Sequence, residues 1–416
     1  MTRVVIVGAS LAGLRAAETL RMRDHDGEVV IVGAERHRPY DRPPLSKKLL
    51  AGEWDHDRIH LRQPDTFDDL DVEWRFGSEA VALDLASRSI RVAEGAPVEF
   101  GALIIATGAS PRRLPDQDTF ANVHVLRTVD DALALRAEIA DGDQRVIVIG
   151  AGFIGLEAAL TAHGLGNEVT VLEGAPAALI RGLGAEMGEA IGRLHIEAGV
   201  DLRCGVSIAG LESSAAAEAH AGAVRLADGS LLDADVILVG IGVEPATAWL
   251  ADSGLELRDG VVCDETLLAR TVAGGSADGV YAAGDVARWW NPLLDEEMRV
   301  EHWTNAAEQG ARAAENLLAV ERGESPEPYA PVPFVWSDQG DLRIQMVGHP
   351  SPSDDVELVA GSAAEGKLLA LYGRDGLLRA ALGVNAPRWV MPMRKQLLGR
   401  AGFAEARSVA IEMTRS

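Results

Sequence analysis

Cysteine is nearly missing from this 416-residue chain: Cys204 and Cys263 alone occur, far apart. Neither a disulfide framework nor a CxxC redox pair can be built from them. No run of 18 apolar residues is present, so no transmembrane helix is expected. Positive charge is scarce, with 39 Lys plus Arg against 63 Asp plus Glu and a net charge of −24. Binding to nucleic acid or to an anionic membrane needs local positive charge, so neither is expected as a partner. The opening MTRVVIVGAS enters a strand pattern at once and shows no signal-peptide cleavage region. Short-period repeats and low-complexity tracts are also lacking. These absences lead to the expectation of a soluble, cytoplasmic, multidomain protein.

What the chain does have is apolar residue, 47%, and glycine, 44 residues, clustered after short β-branched runs. At about 150 residues per domain the length suggests roughly three domains. Val4 to Val7 reads as a buried strand, then come Gly8, a helix over Leu11 to Met22 and a strand over Val29 to Val32. The pattern returns with a strand at Arg145 to Ile149, Gly150, a helix near Phe153 to Leu165 and a strand at Val169 to Leu172. Two βαβ openings about 142 positions apart point to two nucleotide-type domains. Further strands are read at Leu103 to Ile105, Val236 to Val239 and Val280 to Ala283. Gly323 to Pro333 holds four prolines and reads as a linker. Strand-like runs beyond it (Leu342 to Val347, Leu368 to Leu371, Leu378 to Val384) suggest a small α+β domain. The expected fold is α/β: two Rossmann-like dinucleotide-binding domains plus a C-terminal α+β domain. One nucleotide-type domain is placed at 1–108 and 241–322, the other at 109–240 and the C-terminal domain at 323–416.

Gly150-Ala151-Gly152-Phe153-Ile154-Gly155 is a complete GxGxxG between strand and helix. Its first glycine permits the tight turn, its second lets the backbone approach a pyrophosphate, and its third packs helix on strand. Glu173 lies 23 residues after Gly150, where a carboxylate can accept from ribose hydroxyls. Its charge repels a 2′-phosphate, so NADH is expected rather than NADPH, with Arg181 the nearest basic residue of concern. Gly8-Ala9-Ser10-Leu11-Ala12-Gly13 is the same turn with Ser10 as the second glycine, and Glu35 lies 27 residues after Gly8. Alone, that turn reads equally as a ligand loop or a plain turn. Two dinucleotide sites in one chain suggest that one cofactor reduces the other, because side chains carry hydrides poorly. Gly284-Asp285 after a strand could meet a ribityl hydroxyl, or be an ordinary turn. Among the ten histidines no metal-ligand spacing stands out, and no metal is expected.

The ordered set VIVGASLAGLRAAETLR, PYDRPPLSKKLL, IIATGASPRRLP, VIVIGAGFIGLEAA, VYAAGDVA, EHWTNAAEQG and WSDQ spans nearly the whole chain. The chain resembles the FAD-dependent NADH:ferredoxin reductases of bacterial oxygenase systems, within the glutathione-reductase-like flavoproteins. The resemblance implies FAD at the first βαβ unit and NADH at the second, through Gly150, Gly152, Gly155 and Glu173. Gly8, Ser10, Gly13, Glu35, Arg42, Thr107, Gly108, Gly284 and Asp285 are implied FAD contacts. Lys47 is implied beside the flavin and Glu157 near the nicotinamide, as a pair at the hydride-transfer face. Trp303 and Trp336 correspond to family positions near the isoalloxazine, although an aromatic core role fits the residues as well. Lys48 lies alongside Lys47, and register alone does not choose between them. Disulfide-reductase relatives carry a cysteine pair in the stretch matching Pro43 to Leu50, which here has none.

The implied activity moves electrons from NADH through FAD to a [2Fe-2S] ferredoxin serving a cytochrome P450 or a Rieske oxygenase. Rubredoxin reduction, general NADH:acceptor diaphorase activity and a role like that of apoptosis-inducing flavoproteins are the alternatives. Acidic ferredoxins need a basic dock, and the charge is uneven. Residues 1–50 carry net +3, and Arg388, Arg394, Lys395 and Arg400 give 388–400 net +4, leaving −31 elsewhere. Those four residues are the expected ferredoxin dock.

Overall fold

The computed structural model describes residues 2–215 and 217–415, grouped into two compact units. The first unit comprises residues up to 41, 60–110 and 244–333. Its centre is the run Val4–Val7, buried at every position, as expected of a parallel strand covered on both faces. Val29–Val32 flanks it on one side and Ala102–Ile105 on the other, both parallel, with Val5 opposite Val30 and Leu103. Ser276–Ala282 continues the parallel order beyond Ala102–Ile105. These strands belong to a nine-stranded sheet whose neighbouring side chains form one large apolar core.

The helix Leu11–Met22 follows the first strand and packs on Trp303–Glu321. Gly310 makes the approach possible: a Cβ there would stand 2.2 Å from the Ala12 carbonyl oxygen.

The second unit comprises residues 42–59, 111–243 and those from 334 onward. Arg145–Ile149 is central in a five-stranded sheet, parallel to Glu168–Glu173 and to Val236–Val239. The helix Phe153–Gly164 follows it. Phe334–Gln339, Leu342–Gly348, Leu377–Val384, Lys367–Arg374 and Asp355–Ser362 form an antiparallel five-stranded sheet in that order. The helix Pro387–Leu398 lies on this sheet through Val390, Met393 and Leu397. Gly383 opens the space for it, since a Cβ there would be 2.2 Å from Val390 Cγ2.

The chain leaves the first unit at 41, returns at 60, and thereby places 42–59 in the second. The domain limits drawn from sequence leave that segment in the first nucleotide domain and treat the C-terminal sheet as a separate body. Residues 324–333 hold no regular element. Among the described residues, no helix is long and apolar enough to cross a membrane.

Candidate functional site

In the first unit, strand Val4–Val7 delivers the chain into Gly8 with φ +123°. A Cβ at Gly8 would sit 2.0 Å from the Ala106 carbonyl oxygen, and one at Gly13 would sit 1.9 Å from the Gly8 carbonyl oxygen. The first and third glycines are therefore demanded by backbone. Ser10 stands at the N-cap of Leu11–Met22 but makes no side-chain capping hydrogen bond. The orphan N–H groups of that helix end are left without a side-chain cap, in the arrangement that receives a pyrophosphate. Glu35 lies just past Val32 and accepts a hydrogen bond from Tyr40 Oη, a partner the sequence reading missed.

Around this loop, Thr107 Oγ1 donates to the Ala246 carbonyl at 2.9 Å, and Gly108 adopts φ +71°. Gly284 (φ +79°) donates its N–H to Gln309 Oε1 at 2.8 Å and packs toward Ala12 and Ala306. Asp285 follows it, half-buried, with its carbonyl accepting from Arg299. Trp303 opens its helix, 38% exposed, and donates Nε1–H to Asp41 at 2.7 Å. A core role is thereby removed for this tryptophan.

The second loop repeats the geometry in the second unit. Gly150 has φ +106°, and its Cβ would stand 2.3 Å from the Gly240 carbonyl oxygen; a Gly155 Cβ would meet the Gly150 carbonyl at 2.2 Å. Gly152 differs, with nothing within 4 Å of a Cβ and no side-chain cap on its helix. That open space before an uncapped helix end fits a dinucleotide pyrophosphate. Glu173 closes the adjoining strand, its carboxylate accepting from the Ala151 and Ala175 N–H groups at 2.8 Å each. Two amides orient the carboxylate at the loop, and its remaining lone pairs are available to hydroxyl donors. Arg181 is exposed, with Nη1 3.5 Å from a Cβ position on Gly242.

The same unit brings Lys47 to Glu157, Nζ to Oε2 at 2.6 Å. Glu157 lies on the helix Phe153–Gly164 and is 7% exposed. Burial of an ion pair is costly unless hydrogen bonds complete it, and here they do. Ser46 Oγ donates to Oε2 at 2.5 Å, Ser337 Oγ donates to Oε1, and Lys47 also donates to the Pro43 carbonyl at 3.1 Å. Thr161 Oγ1 donates to the Ser46 carbonyl at 2.8 Å, tying segment 42–59 to the helix. Lys48 is exposed, with Nζ 4.8 Å from the Trp54 ring centroid. Lys47, and not Lys48, is the lysine that meets Glu157. Ser46 was missed from sequence; its one signal is adjacency to Lys47.

Arg42 donates to the Arg127 carbonyl. Trp336 is half-buried and stacks on Phe334, ring centroids 5.8 Å apart. In the basic segment Arg388, Lys395 and Arg400 are exposed, whereas Arg394 is half-buried with its Nε enclosed. Burial, then the charge of Glu173, pushes the Cys204 thiol up, and burial raises Cys263 further.

Two glycine loops of this kind, each followed by an acid at or just past the end of the next strand, fit a protein that takes two dinucleotides. Residues 2–310 match the pyridine nucleotide-disulphide oxidoreductase family, and residues 334–414 match the reductase C-terminal family. The chain belongs to the ferredoxin reductases of that family. It is similar to the anthranilate 1,2-dioxygenase system ferredoxin–NAD(+) reductase component of Burkholderia cepacia, 37% identical over 95% of this chain and 94% of that one. Rhodocoxin reductase of Rhodococcus erythropolis is 34% identical over 95% of this chain and 89% of its own. The crystal structure of the covalent putidaredoxin reductase–putidaredoxin complex matches with TM-score 0.89 and 30% identity, covering 100% of this chain and 99% of that one. FAD and NAD(H) are the cofactors of this family.

Proposed function

We propose that this protein is an NADH:ferredoxin reductase supplying single electrons to a [2Fe-2S] ferredoxin of a cytochrome P450 or Rieske oxygenase system, in the cytoplasm. The observation that carries the reading is the pair of uncapped glycine-loop helices in one chain, each with an acid at or just past the end of the next strand. When bound, FAD supplies the conversion of two-electron to one-electron transfer that side chains cannot perform. Gly8, Ser10 and Gly13 let backbone reach its pyrophosphate, Glu35 receives its adenosine ribose, and Asp285 its ribityl end. Thr107 and Gly108 shape the adjoining turn, and Trp303 offers an exposed ring. Gly150, Gly152 and Gly155 seat NADH, with Glu173 on its ribose and against a 2′-phosphate. Lys47, fixed by Glu157, offers one oriented positive charge to the reacting rings, and the carboxylate keeps that ammonium in place.

Similarity to oxygenase-system reductases supports ferredoxin as the acceptor, as does the exposed basic face of Arg388, Lys395 and Arg400. The three proposed functional bodies are the FAD domain, the NADH domain and the C-terminal docking domain. An anaerobic NADH titration of the purified protein tests the reading, followed by a panel of ferredoxin, rubredoxin and ferricyanide. Bound flavin that NADH bleaches, and fastest reoxidation by ferredoxin, are expected. Absence of flavin or of bleaching refutes the reductase reading; faster rubredoxin reduction moves the acceptor assignment.

A further inference from the structure

The Glu157 carboxylate is loaded on both oxygens, and one of its donors has a history of its own. Ser337 and Gln339 lie two apart on the strand Phe334–Gln339, so both side chains leave the same face, and both are buried. Ser337 has a single hydroxyl proton, and it goes to Glu157 Oε1. Its oxygen keeps lone pairs that can accept, and Gln339 Nε2 donates to it at 2.9 Å. The bonds therefore run one way: Gln339 to Ser337, Ser337 to Glu157, with Lys47 on the other carboxylate oxygen at 2.6 Å. Gln339 fixes the rotor of Ser337, and Ser337 fixes the carboxylate. Behind Gln339 lies His195, fully buried, its Nδ1 paired with the Ile191 carbonyl at 2.9 Å. Burial holds His195 below the usual histidine value, against the raising influence of that carbonyl and of Gln339.

We propose that Ser337 and Gln339 are positioning residues of the electron-transfer site, fixing the orientation of the Glu157 carboxylate and thereby holding the Lys47 ammonium in one place. The inference rests on the reading that the Lys47–Glu157 pair serves electron transfer. The groups facing the carboxylate are Lys47 and Ser46 from segment 42–59 and Ser337 from the strand.

The test uses the flavin-loaded protein and its Ser337→Ala, Ser337→Thr and Gln339→Leu variants. Two measurements are made: kcat and KM for NADH-dependent ferricyanide reduction, and the rate of Lys47 acetylation read by mass spectrometry without NADH. In Ser337→Ala kcat is expected to fall by about fivefold, with KM changed less than about twofold. Lys47 acetylation is expected to rise several-fold. Gln339→Leu should give a smaller effect in the same direction, and Ser337→Thr should restore both readouts because it keeps the hydroxyl. A Ser337→Ala protein with wild-type kcat and wild-type acetylation overturns the proposal. If Ser337→Ala does not fold, Gln339→Leu decides by the same two readouts. Unchanged turnover in Glu157→Gln would instead refute the electron-transfer role of the pair, while acetylation still reports on the positioning chain.

Discussion

At the scale of single residues, the two glycines of one loop separate folding from binding. Ala at position 150 would meet both a positive φ and a carbonyl oxygen at 2.3 Å. Gly150→Ala should cost more than about 3 kcal/mol and show it in thermal unfolding. Gly152→Ala meets nothing within 4 Å, so it should cost less than about 1 kcal/mol while raising the KM for NADH at least about tenfold. Equal unfolding effects in the two variants would refute this division. The adjacent lysines make a second contrast. Lys47→Ala should lower kcat for ferricyanide reduction by about tenfold or more, and Lys48→Ala should leave it within about twofold, since Lys48 lies over Trp54. Cys204, raised by burial and by Glu173, holds less thiolate than a free thiol near neutrality, so its alkylation at pH 7.5 should be slower than that of free cysteine and recover as pH rises. Both glycine loops, Glu35 and Glu173 were legible as spacing, because strand, turn and helix are local. The lysine choice was not. It depends on Glu157 meeting Ser46 across 111 positions and Ser337 across 180, separations for which spacing carries no signal.

At the scale of elements, the helix Pro387–Leu398 has two faces. Val390, Met393 and Leu397 go into the sheet, and Arg388, Met391, Lys395 and Leu398 form an exposed stripe at helical spacing. Charge and apolar surface thus alternate on the proposed ferredoxin dock. Arg388→Glu with Lys395→Glu should slow ferredoxin reduction by about tenfold at low salt and spare ferricyanide reduction. The gap should narrow as salt rises, and equal effects on both acceptors would refute the dock. Arg394 is a poor choice for reversal because its enclosed Nε makes a folding defect the first result. The basic content of this segment was readable in sequence, but its division into exposed and enclosed residues required the helix phase set by Gly383. Helix and strand limits were read closely where β-branched runs meet glycine. The strand Ser276–Ala282 extends four residues earlier than Val280, because Ser276 to Gly279 lacks the apolar run that signals a strand.

At the scale of the molecule, two buried histidines contribute to the response to acid just below neutrality. Burial lowers His25 in the first unit and His195 in the second. Each therefore binds a proton more readily when unfolded, so stability is full above the ordinary histidine value and falls as pH drops below it. Thermal unfolding should shift to lower temperature between pH 7.5 and 5.5, with stability falling by up to about 1.4 kcal/mol per pH unit for each histidine. His195→Gln should flatten that slope, and an equally steep slope in the variant would refute its role.

The excursion of residues 42–59 out of the first unit and into the second has a consequence for inheritance. Each unit is assembled from three separate stretches of chain, and the lysine paired with Glu157 travels in the shortest of them. No contiguous piece of the gene encodes a complete unit. Recombination that exchanged one nucleotide-binding body for another would strand that lysine with the wrong partner carboxylate. A scaffold threaded in this way resists the exchange of whole bodies by a single crossover.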